Sequence, residues 1–304
     1  MQDLLIQNAK VVLFENDDIF IKKADVLVQE GKISKIEENI PEEMAKNAKI
    51  IEAKNHILMP GFINTHAHIP MSIFRETTEG VKLYDWLHKI IWPMEEKLAK
   101  EDVYWASMLS FIEMISTGTT CINDQYFMQD AIRKAARDVG ARAVLTRTII
   151  GEKEEALEKI AEFKNFYETR DQKDDLITYS VAPHALYTCS KETLQMTADL
   201  AKDFHLPIHV HFLESIDEIE DIKQKHGKRA VEVLKQHFDG IHTILAHAVH
   251  LDDKDIEILK TMDCGIAHNP ISNLRLGCSI ADTTSYLQNG INVALGTDGQ
   301  GSRK

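Results

Sequence analysis

Imidazoles and carboxylates recur along this chain in a pattern that could serve one metal site: His66-x-His68, then His184, His211 with Glu214, His247, His268 and Asp298. Residues two apart on a strand point to the same side, about 6.5–7 Å apart along the backbone. Two such imidazoles can reach one ion at about 2.1 Å each. His-x-His alone fits packed histidines equally well; the downstream positions give it weight. His66, His68, His211 and Asp298 offer three nitrogens and a carboxylate, a donor set that suits zinc or iron(II). An ion there would lower the pKa of water from about 15.7 to roughly 7. Asp298 would take the proton of that water. Glu214, three residues past a ligand, would hand a proton to the substrate, a role worth about 10²–10⁴ in rate. His247 would hold the attacking oxygen or stabilise the oxyanion. His209 shares a face with His211 one layer deeper, and reads as a histidine buried beneath the site.

Such residues need elements that bring them together. Strand signals lie at 57–63, 119–123, 141–150, 177–183, 207–213, 243–249, 265–269 and 292–297. Helical patterns fill 101–117, 128–139, 153–168, 227–237 and 252–262, and Ser190 reads as the N-cap of a helix ending before Pro207. Within 101–117, Trp105, Met108, Leu109, Ile112 and Ile115 share one helical face, and Gly118 ends the run. Residues 80–100 read as an insertion with a short helix over the barrel mouth. Strands alternating with helices in this way predict a (β/α)8 TIM-type barrel, whose chemistry sits at the carboxyl ends of the strands. A doubly wound sheet would call for a glycine fingerprint after the first strand, and none is present.

Residues 1–56 read differently, as strands at 4–14, 19–29, 32–37 and 50–53 with turns at 16–18 and Glu30-Gly31. They are too few for a core of their own and are expected to form half of a small β-sandwich, leaving 57–304 for the barrel. The sequence stops soon after Asp298, so the barrel is expected to lack its last helix, with Val293 and Leu295 facing solvent. A chain cut there is expected to be marginally stable and weakly active, because open strand edges and an uncovered apolar face favour aggregation.

Bulk properties narrow the function. The 304 residues are 44% hydrophobic, enough for a sizeable core, and the formal charge of −13 argues against nucleic-acid or anionic-membrane partners. The N-terminus carries no cationic and apolar leader, and no run approaches about 18 apolar residues, so neither secretion nor a membrane span is expected. Four scattered cysteines suit reduced thiols in the cytoplasm. The lack of Cys-x-x-Cys argues against deaminases that hold zinc with a cysteine pair. Oligomeric state is not encoded legibly, and a homo-oligomer is compatible with the sequence.

The segments PGFINTHAH, WPMEEKL, VAPHALYTCS, HVHFLES, LAHAVHL, HNPISNLRLG and ALGTDGQGS, in that order, resemble the amidohydrolase superfamily. More closely, they resemble its 5-methylthioadenosine/S-adenosylhomocysteine deaminase branch. The resemblance spans residues 1–302 and implies a barrel flanked by a β-sandwich. It also implies one divalent metal, zinc or iron, and a small nucleoside substrate whose adenine ring loses ammonia to give the inosine analogue. By the same resemblance His66, His68, His211 and Asp298 match the metal ligands, Glu214 the acid that protonates the purine ring, and His247 the histidine orienting the hydroxide. Glu95 matches the carboxylate gripping the ribose hydroxyls, His184 a purine contact, Ser302 a further ring contact, and Arg147 the cation meeting a homocysteine carboxylate.

From the residues alone, Glu95 also reads as part of a solvated face, and Arg147 as the partner of a barrel carboxylate. Tyr187, Trp86 and Trp92 read as core, and His88, His205, His226, His237 and His242 as solvated. Two other functions stay open at this level: a deaminase or dechlorinase of other aromatic heterocycles, and an inactive metal-binding fragment.

Overall fold

The computed structural model describes residues 2–15, 18–77 and 80–302, without the side chain of Ser302; part of the turn expected at 16–18 lies outside them. The chain divides into two compact units, Met1–Gly61 and Phe62–Lys304.

The first unit is one five-stranded sheet. Strands β1 (Leu4–Glu15) and β2 (Asp18–Gln29) form an antiparallel pair, extended by β3 (Lys32–Glu37) on β2 and by β4 (Lys49–Glu52) and β5 (Ile57–Leu58) parallel to β1. Ala9, Val11, Ala24, Val26 and Ala53 pack together within it. Ile57 and Leu58 therefore serve this sheet, and the first barrel strand begins later than the apolar run at 57–63 predicts.

The second unit is the barrel. Its strands are β6 (Phe62–His68), β7 (Thr119–Tyr126), β8 (Arg142–Ile149), β9 (Ile177–Tyr179) with β10 (Ala182–Pro183), β11 (Ile208–Phe212), β12 (Thr243–His247), β13 (Cys264–His268), and β14 (Asn292–Leu295) with β15 (Asp298–Gly299). All pair in parallel. Bridges from Val181 to Ile208 and from Ala185 to His211 join the fourth strand to the fifth, and β15 pairs with β6 to close the ring. Strands such as β12 and β13 read as short, mostly apolar runs legible in the sequence, whereas β6, β7 and β8 also carry buried polar residues such as Asn64, Asp124 and Thr146.

The helices are α1 (Leu83–Trp86), α2 (Trp92–Glu95), α3 (Lys100–Ser116), α4 (Gln129–Val139), α5 (Lys153–Glu168), α6 (Lys191–Phe204), α7 (Glu218–His226), α8 (Ala230–Phe238), α9 (Asp253–Leu259), α10 (Pro270–Arg275) and α11 (Thr283–Gln288). Ser190 caps α6 as expected, its hydroxyl accepting from the Thr193 amide at 3.1 Å. Gly118, at φ +90°, lets the chain leave α3.

Three expectations need correction. In α3 the stripe Trp105, Leu109, Ile112 and Ile115 is exposed, whereas Val103, Ala106, Phe111 and Met114 face the barrel. The helix is apolar on both sides, so periodicity alone picks the wrong face. His226 and His237 are buried rather than solvated, His226 Nε2 lying 2.8 Å from the Leu186 carbonyl. Leu295 is exposed as expected, but Val293 is half-buried against the barrel core. Among the described residues no helix is long and apolar enough to cross a membrane.

Candidate active site

The strand ends deliver the expected side chains to one rim. His66 and His68 sit at the end of β6, His211 near the end of β11, His247 and His268 as the last residues of β12 and β13, and Asp298 at the start of β15. Ligand atoms of His66, His68 and His211 lie within 4.8 Å of one another, as do those of His66, His247 and Asp298. His268 is buried at the rim but belongs to neither group.

Hydrogen bonding fixes which nitrogens face inward. His68 Nδ1 donates to the Gln125 carbonyl, and His211 Nδ1 to the His184 carbonyl at 2.7 Å. A neutral imidazole carries one proton, so each Nε2 bears a lone pair, and the two lone pairs face each other at 3.1 Å. Asp298 Oδ1 stands 3.2 Å from Nε2 of both His66 and His68. His66 Nε2 makes no hydrogen bond, while its Nδ1 lies 2.8 Å from His209 Nε2. Lone pairs converging in a buried place favour shared positive charge, and nitrogens plus a carboxylate at this spacing fit a divalent metal. Charges behave accordingly. Burial works against a proton on His68, yet Asp298 and the Gln125 carbonyl outweigh it and raise the ring to about 8. Burial would raise Asp298, but His66 and His68 hold it well below the carboxylate range.

Beside this cluster stand Glu214 and the residues that touch it. Burial, with Asp298 and Glu218 beside it, pushes the Glu214 carboxyl well above its ordinary range. Glu214 Oε2 lies 3.5 Å from His247 Nε2. Burial keeps His247 neutral, pushed down to about 3, and does the same for His184. Glu218 Oε1 accepts from the amides of Glu214 and Ser215 at 2.9 and 3.0 Å, fixing the turn that carries the acid.

The rim opens into a cavity of about 710 Å³. Trp86, Leu87, Trp92, Phe127 and Met128 give it an apolar wall, while Glu95, His184 and Arg147 add polar groups. Trp86 belongs to the barrel core and Trp92 and Tyr187 pack against it, as expected from sequence, and all three also line the cavity. Glu95 is half-buried, and burial raises its carboxyl despite the nearby Tyr126 hydroxyl. Arg147 reaches the wall but is held by Glu162, Nε to Oε2 at 2.5 Å. Ser302 ends the described chain in a short turn, and its side chain lies outside the described residues.

His209 lies buried beneath the site, as its spacing from His211 predicts, and backs His66. The contributors from α10 carry no such signal of period or spacing. The short helix α10 sends Ser272 to Asp298 Oδ2 and Asn273 to His247 Nδ1 at 2.8 Å. The run HNPISN flagged the segment without indicating what each side chain touches.

Comparison with known proteins agrees with this geometry. The model of the Amidohydrolase family matches residues 57–304. The chain is 42% identical over 299 residues to a 5'-deoxyadenosine deaminase of Methanocaldococcus jannaschii, covering 96% of this chain and 70% of that one. It is 42% identical over 305 residues to a 5-methylthioadenosine/S-adenosylhomocysteine deaminase of Thermoanaerobacter pseudethanolicus, covering 99% and 70%. Among solved structures, a zinc-bound adenosine deaminase from Xanthomonas campestris superposes with a TM-score of 0.87 at 27% identity, covering 99% of this chain and 70% of that one. The chain thus belongs to the amidohydrolase family of metal-dependent hydrolases.

Proposed function

We propose that this protein deaminates the adenine ring of 5'-modified adenosines, the 5'-methylthioadenosine and S-adenosylhomocysteine class, releasing ammonia and the inosine analogue. One observation carries the reading: Glu214, buried and 3.5 Å from His247, stands beside the converging histidines and Asp298 where they line an apolar-walled cavity of nucleoside size. The names of the two relatives at 42% identity support the same substrate class. His66, His68, His211 and Asp298 would hold the ion; zinc is the proposed metal, as in the bound relative, with iron the alternative. When bound, it would act as a Lewis acid and supply hydroxide at neutral pH.

The chain's own groups do the rest. Glu214 gives its proton to the ring nitrogen beside the attacked carbon, drawing electrons away from that carbon. Asp298, ionised, receives the proton of the attacking water. His247 hydrogen-bonds the oxygen that becomes negative as the carbon turns tetrahedral. The amine leaves as ammonia once it carries the added proton. Glu95 is assigned to the ribose hydroxyls, and His184 and Ser302 to the purine.

The Arg147–Glu162 pair favours an apolar 5' group over a carboxylate, since Arg147 is already neutralised. The first unit is read as a portion of a β-sandwich and the second as the metal-dependent barrel. Free thiols at all four cysteines support a reducing, cytoplasmic setting. The test follows the ultraviolet change from adenine to hypoxanthine after adding 5'-deoxyadenosine, methylthioadenosine or S-adenosylhomocysteine to zinc-loaded protein. No turnover of any of them, with metal demonstrably bound, removes the assignment.

A further inference from the structure

His247 closes β12 with its Nε2 toward the site and its Nδ1 toward α10. Two carboxamides meet that Nδ1. Asn273 Nδ2 lies 2.8 Å from it and 3.5 Å from Glu214 Oε1, and Asn269 Nδ2 lies 3.4 Å from it and 3.1 Å from the Ala267 carbonyl. The Ala267 carbonyl can only accept, so the end of Asn269 that faces it is the NH₂ end. Asn269 Oδ1 is turned the other way, against Gly296, where a Cβ would approach it to 2.2 Å. Both amides thus offer N–H groups to His247 Nδ1. A nitrogen that receives hydrogen bonds carries no proton, so the neutral ring keeps its single proton on Nε2.

We propose that Asn273, backed by Asn269, is a positioning residue that holds His247 as the Nε2–H tautomer, so that His247 donates a hydrogen bond at the reacting oxygen and does not take its proton. The inference rests on the reading that His247 faces the reacting atoms. It divides the labour at the rim: proton acceptance falls to Asp298, proton donation to the ring falls to Glu214, and His247 stabilises charge. No bond is made or broken at the imidazole.

The experiment reads the tautomer directly. Zinc-loaded protein labelled with ¹⁵N-histidine gives one pattern of ring ¹⁵N shifts for each tautomer, and His247 is assigned by the signal lost in His247→Gln. The expected wild-type result is a protonated Nε2 and a bare Nδ1. In Asn273→Asp, the carboxylate can only accept and the pattern reverses to Nδ1–H. That variant and Asn273→Ala are expected to lower kcat by about 10- to 100-fold, the usual cost of losing a group that orients a reacting side chain. KM should stay within roughly twofold and bound zinc should be retained. A protonated Nδ1 in the wild type overturns the proposal, and so does Asn273→Asp with tautomer and kcat unchanged. If Asn273→Asp fails to fold, the wild-type spectrum still decides. A wild type that turns over no adenine nucleoside would sink the functional reading while leaving the tautomer result standing.

Discussion

Nε2 of His68 and Nε2 of His211 face each other at 3.1 Å, while both rings spend their Nδ1 protons on backbone carbonyls. Two lone pairs at that separation call for positive charge between them. Without an ion, a proton on His68 supplies it, in keeping with the ring's rise to about 8. Chelation is therefore expected to abolish activity and lower the melting temperature, and added zinc to restore both. At 100 to 1,000 times its dissociation constant, a ligand confined to the folded state stabilises it by about 3–4 kcal/mol. His211→Ala and Asp298→Asn should bind well under one equivalent. Metal analysis beside thermal melts checks this, and full occupancy in either variant would strike that residue from the ligand set.

Burial and its carboxylate neighbours push the Glu214 carboxyl well above its ordinary range, toward the protonated form. Glu214→Gln preserves shape and removes the transferable proton. The expected outcome is a fall in kcat of about 10²–10⁴ with metal content unchanged. Steady-state kinetics on the zinc-loaded variant, with metal measured on the same sample, tests the role; near-normal kcat would refute it.

Substrate choice should divide between Glu95 and Arg147. Glu95→Gln is expected to lower kcat/KM for ribosides by about 10- to 100-fold, the worth of a hydrogen bond to a charged group, and to leave free adenine unaffected. Arg147→Met should cost methylthioadenosine and S-adenosylhomocysteine alike, because Glu162 already engages the guanidinium. Glu162→Gln should free it and shift preference toward S-adenosylhomocysteine. Competition between the two nucleosides reads the ratio, and an unchanged ratio would make Arg147 a purely structural residue.

Glu218 should make the fold sensitive to pH. Burial lifts its carboxyl from 4.5 to about 7 even though two amides donate to it. A raised folded pKa means stability is greatest below the unfolded value and declines as pH rises toward 7. The decline attributable to this group is about 3 kcal/mol at most. Urea unfolding from pH 4.5 to 8 should show the loss in the wild type and a flatter profile in Glu218→Gln, whose amide oxygen still accepts both bonds. Parallel profiles would locate the pH dependence elsewhere.

What the sequence reveals follows from period and chemistry. Apolar stretches mark most of the barrel strands, and His66, His68, His211, His247 and Asp298 fall at or just beyond their carboxyl ends, so the fold and the candidate centre are readable together. Residues that act through another side chain leave no such trace. Ser272 and Asn273 are ordinary polar residues of a six-residue helix, and only the closed ring brings them to Asp298 and His247. The stripe on α3 misleads for a related reason: apolar spacing identifies a helix but cannot choose between two apolar faces. Helix α7 escapes notice because its first turn is mostly acidic and reads as solvated loop.

Two residues at the heart of the site, His247 at φ +77° and Asp298 at φ +59°, hold left-handed backbone that L side chains seldom adopt. The barrel compels those conformations, so the scaffold carries a standing penalty at the places where it works. Exchange of His247 for glycine would relax the main chain and toughen the protein while silencing it. Asp298 must bear its strain, because the ion it would hold offsets it. Endurance and turnover are rival demands at the first position and allied ones at the second.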